Sequence, residues 1–249
     1  MPTGVATATV AATAAQRVDG FGAAGAWWPI DLEDFPAAVQ RSVGRMLFGS
    51  QGIALSGYRY NIGGGGVGVT NPTRAPETFL VRPGVYDWSR DPGGMTFLRL
   101  ASRAHVPVLT GFVNSAPTTW TTNARSCGGD VAPTGATAFG DYLADVTRHF
   151  RQREHITLSY ISPMNEPDNS FADCGQEGMR VAVEQRAGVV EAVGRALASR
   201  APWAHVIADE SSSAAFMFVS EVPTWMSSGD AASFVAALAH HTYEFPTDA

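Results

Sequence analysis

The sequence predicts an α/β chain of the (β/α)8 TIM-barrel class, truncated after its sixth strand. Three observations carry that prediction. Six short apolar runs rich in β-branched and aromatic residues alternate with segments of helical periodicity, the pattern of a parallel sheet. Polar and aromatic residues collect where those runs end, at Trp27, Arg59, Asn61, Asn114, Glu166, Glu210, His241 and Tyr243. A doubly wound sheet concentrates function at one switch point, whereas a barrel places it at the end of every strand. Finally, six units are present where closure needs eight.

Taken in order, Val5–Val10 alternates Val and Thr with Ala and reads as a lone strand with no hairpin partner beside it. Val18–Pro29 reads as the first barrel strand running into a glycine-rich functional loop with paired tryptophans. Asp34 is placed to cap a helix over Phe35–Phe48, with Val39, Val43, Met46 and Leu47 on one face. Gly52–Ile62 is the second strand, and the proline-rich Val69–Gly94 an ordered, functional loop. Met95–Ala104 reads as a helix and Val106–Asn114 as the third strand. Thr137–Arg153 is the clearest helix, with Phe139, Tyr142, Leu143, Val146 and Phe150 on one face. Thr157–Asp168 is the fourth strand, stopped by Pro167, which has no ladder N–H to give. Gln176–Arg200 is helical, with Pro202 just beyond it. His205–Ser211 is the fifth strand, Ala214–Ser227 a weaker helix interrupted by Pro223, and Phe234–Tyr243 the sixth strand.

Composition narrows the function. The 249 residues suit one large α/β domain or two small ones, and 45% hydrophobic content is enough for a sizeable core. With 16% charged residues and a net charge of −6 the chain lacks the basic footprint of a nucleic-acid binder. All 17 basic residues are arginine, which excludes a Schiff-base lysine and the lysine of a phosphate loop. No run approaches the ~18–20 apolar residues of a bilayer span, so no membrane partner is expected. Met1–Ala15 lacks a basic n-region and is not a signal peptide as it stands. Cys127 and Cys174 fit either a disulfide in an exported protein or two separate buried thiols.

The chemistry centres on Asn165-Glu166-Pro167. A carboxylate at the carboxyl end of a core strand is where a barrel places catalysis, and a carboxylic acid there can protonate a glycosidic oxygen. The plainer alternative is a strand-ending turn with a solvated glutamate. Gly63, Gly65 and Gly68 make a literal G-x-G-x-x-G, but Asn71-Pro72-Thr73-Arg74 follows where the nucleotide fingerprint needs a helix. These glycines read instead as a loop crossing the mouth of a site. Trp27, Trp28 and Trp120 offer planes for stacking on sugar or side chains for the core. His241 and Tyr243, two apart, share one strand face directed to the site, which turns His240 away. No His/Cys/Asp cluster has metal-ligand spacing, so neither metal nor cofactor is expected.

Five motifs occur in order at strand ends: Asp19-Gly-Phe-Gly-Ala-Ala-Gly-Ala-Trp-Trp-Pro29, Arg59-Tyr-Asn-Ile-Gly-Gly64, Ser162-Pro-Met-Asn-Glu-Pro167, Ala208-Asp-Glu-Ser211 and His240-His-Thr-Tyr243. Together, from about Arg17 to the end of the chain, they resemble glycoside hydrolase family 30, of the retaining (β/α)8-barrel clan. The Gly-Ala-Trp-Trp-Pro opening is most similar to bacterial endo-β-1,6-galactanases, which cleave β-1,6-galactan side chains of arabinogalactan. That family also hosts β-1,6-glucanases, xylanases and glucosylceramidases. A non-catalytic, truncated carbohydrate-binding fragment is the alternative from another class.

The resemblance implies roles. Glu166 matches the acid/base at the end of the fourth strand, Asn165 its partner, and Arg59 an arginine that helps hold the catalytic carboxylates. From ring chemistry, spacing and strand-end placement rather than the resemblance, Trp27, Trp120, Glu210, His241 and Tyr243 are the further expected substrate-binding residues. The family's nucleophile is a glutamate ending the seventh strand, so it is expected beyond Ala249; Glu210 and Glu244 are weak substitutes. Residues 1–16 resemble the lone N-terminal strand of an otherwise missing flanking β-sandwich, and residues 17–249 the catalytic barrel through strand six. The loops carrying Cys127 and Cys174 share one barrel mouth, where a disulfide fits. The expected partner is a polysaccharide, and the expected location is extracellular.

Overall fold

The computed structural model describes Thr9, Ala12, Thr13 and residues 17–243. Apart from Thr9, the Val5–Val10 strand lies outside the described residues, as does Glu244. Six strands form one sheet in chain order: β1 (Gly22–Ala24), β2 (Gly57–Asn61), β3 (Val108–Phe112), β4 (Tyr160–Ser162), β5 (His205–Ser211) and β6 (Val235–His240). Every neighbouring pair is parallel, and the sheet curls as a partial barrel. Registers such as Ala24↔Arg59, Asn61↔Phe112 and Phe112↔Ser162 bring the carboxyl ends of β1–β4 level with one another.

The strands are shorter than their apolar runs. Gly52–Ser56 is turn and extended chain that ties back to the preceding helix, through Ile53 N to Met46 O and Leu55 N to Leu47 O. β4 stops at Ser162, whose hydroxyl donates to Met164 O two residues on, so the chain leaves the ladder before Asn165. β1 keeps three residues of its expected span.

Helix α1 (Ala37–Phe48) begins after Pro36, and Asp34 does not cap it. Gln40 occupies that corner instead, its amide donating to the carbonyls of Leu32, Glu33 and Phe35. Its inward face is Gly44 and Phe48, with Val43 and Leu47 partly buried, whereas Val39 and Met46 are exposed. Helix α2 (Pro92–Arg103) starts three residues before Met95, because Asp91 accepts from Gly94 N and Pro92 supplies the preset φ of a first turn. The loop before it is not structureless: Leu80–Arg82 and Val85–Tyr86 form a small hairpin.

Helix α3 (Ala136–His149) runs into a π-helical turn over Phe150–Glu154. Helix α4 (Val183–Arg200) starts later than expected, since Met179–Arg180 pairs as extended chain with Gly129–Asp130. The two helices pack so closely that a Cβ on Gly140 would lie 2.8 Å from Ala192 O. Helix α5 (Val219–Met226) contains Pro223 and follows a second π turn at Ala214–Phe218. Phe97, Leu98, Phe139, Leu143, Val146, Ile161, Val190 and Val193 fill the core between sheet and helices. The strand ends left over face one side, and the site is there.

Candidate active site

Glu166, four residues past β4, and Glu210, near the end of the neighbouring β5, are tied at the backbone: Glu166 N donates to Glu210 O at 3.0 Å. Both carry positive φ, 48° and 59°, in the left-handed region that non-glycine residues seldom adopt. Such a conformation persists where surrounding bonds over-determine it. Here Ser212 supplies them, its amide at 2.9 Å and its hydroxyl both donating to the Asp168 carboxylate across the two strand ends.

His241, just past β6, stands between the two acids. Its Nδ1 is 3.0 Å from Glu166 Oε1 and its Nε2 3.8 Å from Glu210 Oε2. Asn169 Nδ2 donates to the other Glu166 oxygen at 3.2 Å. Arg59, from β2, pairs with Glu210 Oε2, reaches Asn165 Oδ1 at 3.4 Å, and lies 4.0 Å over the Phe112 ring. Residues from four strand ends thus meet in one polar cluster, in which the bonded pair Arg59 and Glu210 is 151 positions apart.

Burial alone would push the Glu166 carboxyl up, but hydrogen bonds from His241 and Asn169 and the charge on His241 outweigh it and hold it below its ordinary range. Burial pulls the His241 imidazole down, and bonding to Glu166 and Glu210 overrides that, raising it to about 9. At neutral pH the pair is therefore an imidazolium and a carboxylate.

Glu166 opens into a cleft of about 520 Å³. Its wall is the loop after β4, residues 169–173 with Gly175 and Gln176, and Arg74 and Tyr243 complete the lining. Tyr243 sits edge-on to His241 at 5.5 Å between centroids. His240 points elsewhere, against the Phe218 ring.

Two expected aromatic contacts lie away from the cleft. Trp120 is buried in the core beside Phe139 and Tyr142, because its strand-end helical turn folds back over α3. Trp27 lines a separate cavity of about 10 Å³ with Tyr60, Asn61 and Asp91. Trp28 is pinned by its indole N–H to Ala24 O and packs on Phe97. Glu210 is buried, its carboxylate turned to Arg59 and His241.

Cys127 and Cys174 are disulfide-bonded, which joins the loops after β3 and β4 beside the cleft. The glycine-rich loop does cradle an acidic group, but one from its own chain. Gly64 N and Gly66 N donate to the Glu177 carboxylate at 3.1 and 2.7 Å. Burial raises that carboxyl to about 8, against the amide bonds that pull it down. Asp209, next to Glu210, is fully buried and bonded to Arg186, Trp225 and Ser211. Among the site residues that the sequence did not single out, Asn169 has a local signal, a polar side chain three residues from Glu166.

A family model, O-glycosyl hydrolase family 30, matches residues 11–241. The chain belongs to O-glycosyl hydrolase family 30. Among solved structures it resembles a conserved exported protein from Bacteroides fragilis (TM-score 0.76, 24% identity, 85% of this chain and 48% of that one). The catalytic domain of the family 30 xylanase C from Talaromyces cellulolyticus is also similar (TM-score 0.68, 22% identity, 90% and 52%), as is an endo-β-1,6-glucanase (TM-score 0.72, 17% identity, 92% and 52%). At these identities the likeness is one of fold. The chain spans about half the length of each of those structures. No curated protein sequence matches it. Among the described residues no helix is long and apolar enough to cross a membrane, and no cluster of His, Cys, Asp and Glu is placed to hold a metal ion.

Proposed function

We propose that this chain carries the acid/base side of a retaining glycoside hydrolase that cleaves β-1,6-galactan side chains of arabinogalactan outside the cell. The observation that carries the reading is Glu166: a carboxyl just past the carboxyl end of β4, next to Asn165, open to a cleft and bonded to a histidine. In its acid form Glu166 gives its proton to the glycosidic oxygen as the C–O bond breaks. The resulting carboxylate then takes a proton from the water that releases the sugar.

The first step needs a nucleophilic carboxylate about 5–5.5 Å away. Glu210 turns its carboxylate to Arg59 and His241, and in this reading the nucleophile is a separate glutamate that ends a seventh strand. A second negative charge at that distance also raises Glu166 toward the range where it can act as an acid. Asn165, bonded to Arg59, is placed to meet a hydroxyl beside the reacting carbon. The reading that residues 1–16 belong to a flanking β-sandwich, and 17–249 to the barrel, goes with this proposal.

The galactan assignment rests on the Gly-Ala-Trp-Trp-Pro stretch. A second reading, β-1,6-glucan or xylan as substrate, draws on the activities of the structurally similar proteins. The complete protein, secreted from a host, would be assayed on de-arabinosylated arabinogalactan, β-1,6-glucan and xylan. Release of β-1,6-galacto-oligosaccharides is the expected result. Release from glucan or xylan alone transfers the assignment to that glycan, and no release from any leaves a binding fragment.

A further inference from the structure

Glu177 makes no contact with solvent, yet it immediately follows the cleft-lining loop. Its carboxylate accepts from Gly64 N and Gly66 N, and its own N–H donates to Arg74 O at 3.1 Å. Arg74 is the cleft residue supplied by the loop after β2. One residue thus joins the loop after β2 to the loop after β4 by side chain and backbone together. The glycines are required for it: Gly66 has φ +69°, and a Cβ there would lie 2.7 Å from Ala75 Cβ. Ser126 backs the same clasp, its hydroxyl donating to Gly64 O at 3.2 Å and accepting from Val67 N at 3.2 Å.

We propose that Glu177 is a positioning residue for substrate binding: by clasping the glycine loop it fixes the distance between the Arg74 side of the cleft and the 169–176 wall. The proposal rests on the reading of that cleft as the glycan site. Glu177 touches neither the Glu166 carboxyl nor His241 among its hydrogen-bond partners, so loosening it moves the wall and leaves the acid/base in place. The effect belongs to KM.

The test is steady-state kinetics of the complete protein with Glu177→Gln and Glu177→Ala, on whichever of the three glycans the wild type hydrolyses. Glu177→Gln keeps one acceptor for the two amides, and Glu177→Ala keeps none. KM should rise in that order, to about tenfold for Glu177→Ala, with kcat within about twofold of wild type. A folded Glu177→Ala with wild-type KM, or with kcat lost and KM unchanged, overturns the proposal. Should both variants fail to fold, Ser126→Ala is measured in the same way: a raised KM supports the clasp, and a wild-type KM overturns it. A wild type inert on all three glycans sinks the reading of the cleft, and this proposal with it. An active wild type with unaffected variants sinks this proposal alone.

Discussion

His241 Nδ1 lies 3.0 Å from Glu166 Oε1, so a histidine hydrogen-bonds directly to the carboxyl proposed as the acid. That contact is the chief force holding Glu166 below its ordinary range against the upward push of burial. His241→Ala removes both the hydrogen bond and the charge. The Glu166 carboxyl should then titrate upward, as burial alone would have it. Carboxyl titration of the two proteins by 13C NMR checks this; an unmoved Glu166 would show that His241 does not control it.

Glu166→Gln preserves the size of the side chain but cannot exchange a proton. General acid–base groups contribute roughly 10²–10⁴-fold, and a loss of that order in kcat is expected for natural glycan in the complete enzyme. An aryl glycoside with a good leaving group needs little protonation, so its first step should be spared. Equal loss of kcat/KM, which reports the first step, on both substrates would instead point to a role in binding or folding.

How much of this is legible in sequence depends on whether a residue announces itself locally. Arg59, Asn165, Glu166 and Glu210 do, because each lies in or just past an apolar run of strand character, and the parallel register then brings those strand ends together. The aromatic residues do not. Trp120 follows a strand as a sugar platform would, yet the turn after it sends the ring into the core. Asp34 has the chemistry of a cap but stands two residues too early, where Pro36 already sets the entry. Glu177 reads as one more loop carboxylate between Gln176 and Gly178. Its partners lie 111 and 113 residues away, and only the closed fold reveals that the G-x-G-x-x-G serves it.

The buried acids fix the direction of pH dependence. Glu177 is raised from 4.5 to about 8 and Asp91 from 3.8 to about 7, both chiefly by burial. The folded state therefore holds more protons than the unfolded state across that window, and stability falls as pH rises through it. His241 acts in the same sense: raised from 6.5 to about 9, it contributes stability fully below 6.5 that is lost as pH rises through 9. Glu166 works oppositely, its contribution being lost as pH falls below its ordinary range. Denaturant unfolding at pH 5, 6.5 and 8 should show the greatest stability at the acid end of that series. A curve rising toward pH 8 would contradict it.

The Cys127–Cys174 bond closes a loop with a sequence separation of 47. By chain entropy, a cross-link of that span stabilises by about 4 kcal/mol, chiefly by restricting the unfolded chain. The Cys127→Ser, Cys174→Ser double variant should lose a large part of it, read as a drop in denaturation midpoint. The bond also fastens the cleft wall, since Cys174 O accepts from both Thr70 N and Thr70 Oγ1. Substrate affinity should therefore weaken in the same variant, measured below its unfolding transition. Unchanged stability would mean that the wall's hydrogen bonds hold the loops without the covalent link.

Arg186 offers the sharpest stability test, because it sits in the core with 1% exposure and bonds a fully buried Asp209. Its Nη1 is 2.8 Å from Asp209 Oδ2 and 2.7 Å from Glu221 Oε2, and its Nε donates to Val181 O. Removing one partner of a buried pair leaves the other charge without compensation, a cost of about 3–5 kcal/mol. Arg186→Met keeps much of the volume, so a loss of that order would report the charge rather than a cavity. Asp209 precedes Glu210 and is also held by Trp225 Nε1 and Ser211 Oγ, at 2.8 and 2.7 Å. Those bonds should keep β5 in register in the variant and preserve the Glu210–Arg59 contact. Arg186→Met is thus expected to lower the unfolding midpoint sharply, with kcat little changed well below it. A fall in kcat with no loss of stability would instead place Arg186 in the alignment of the Glu210 strand end.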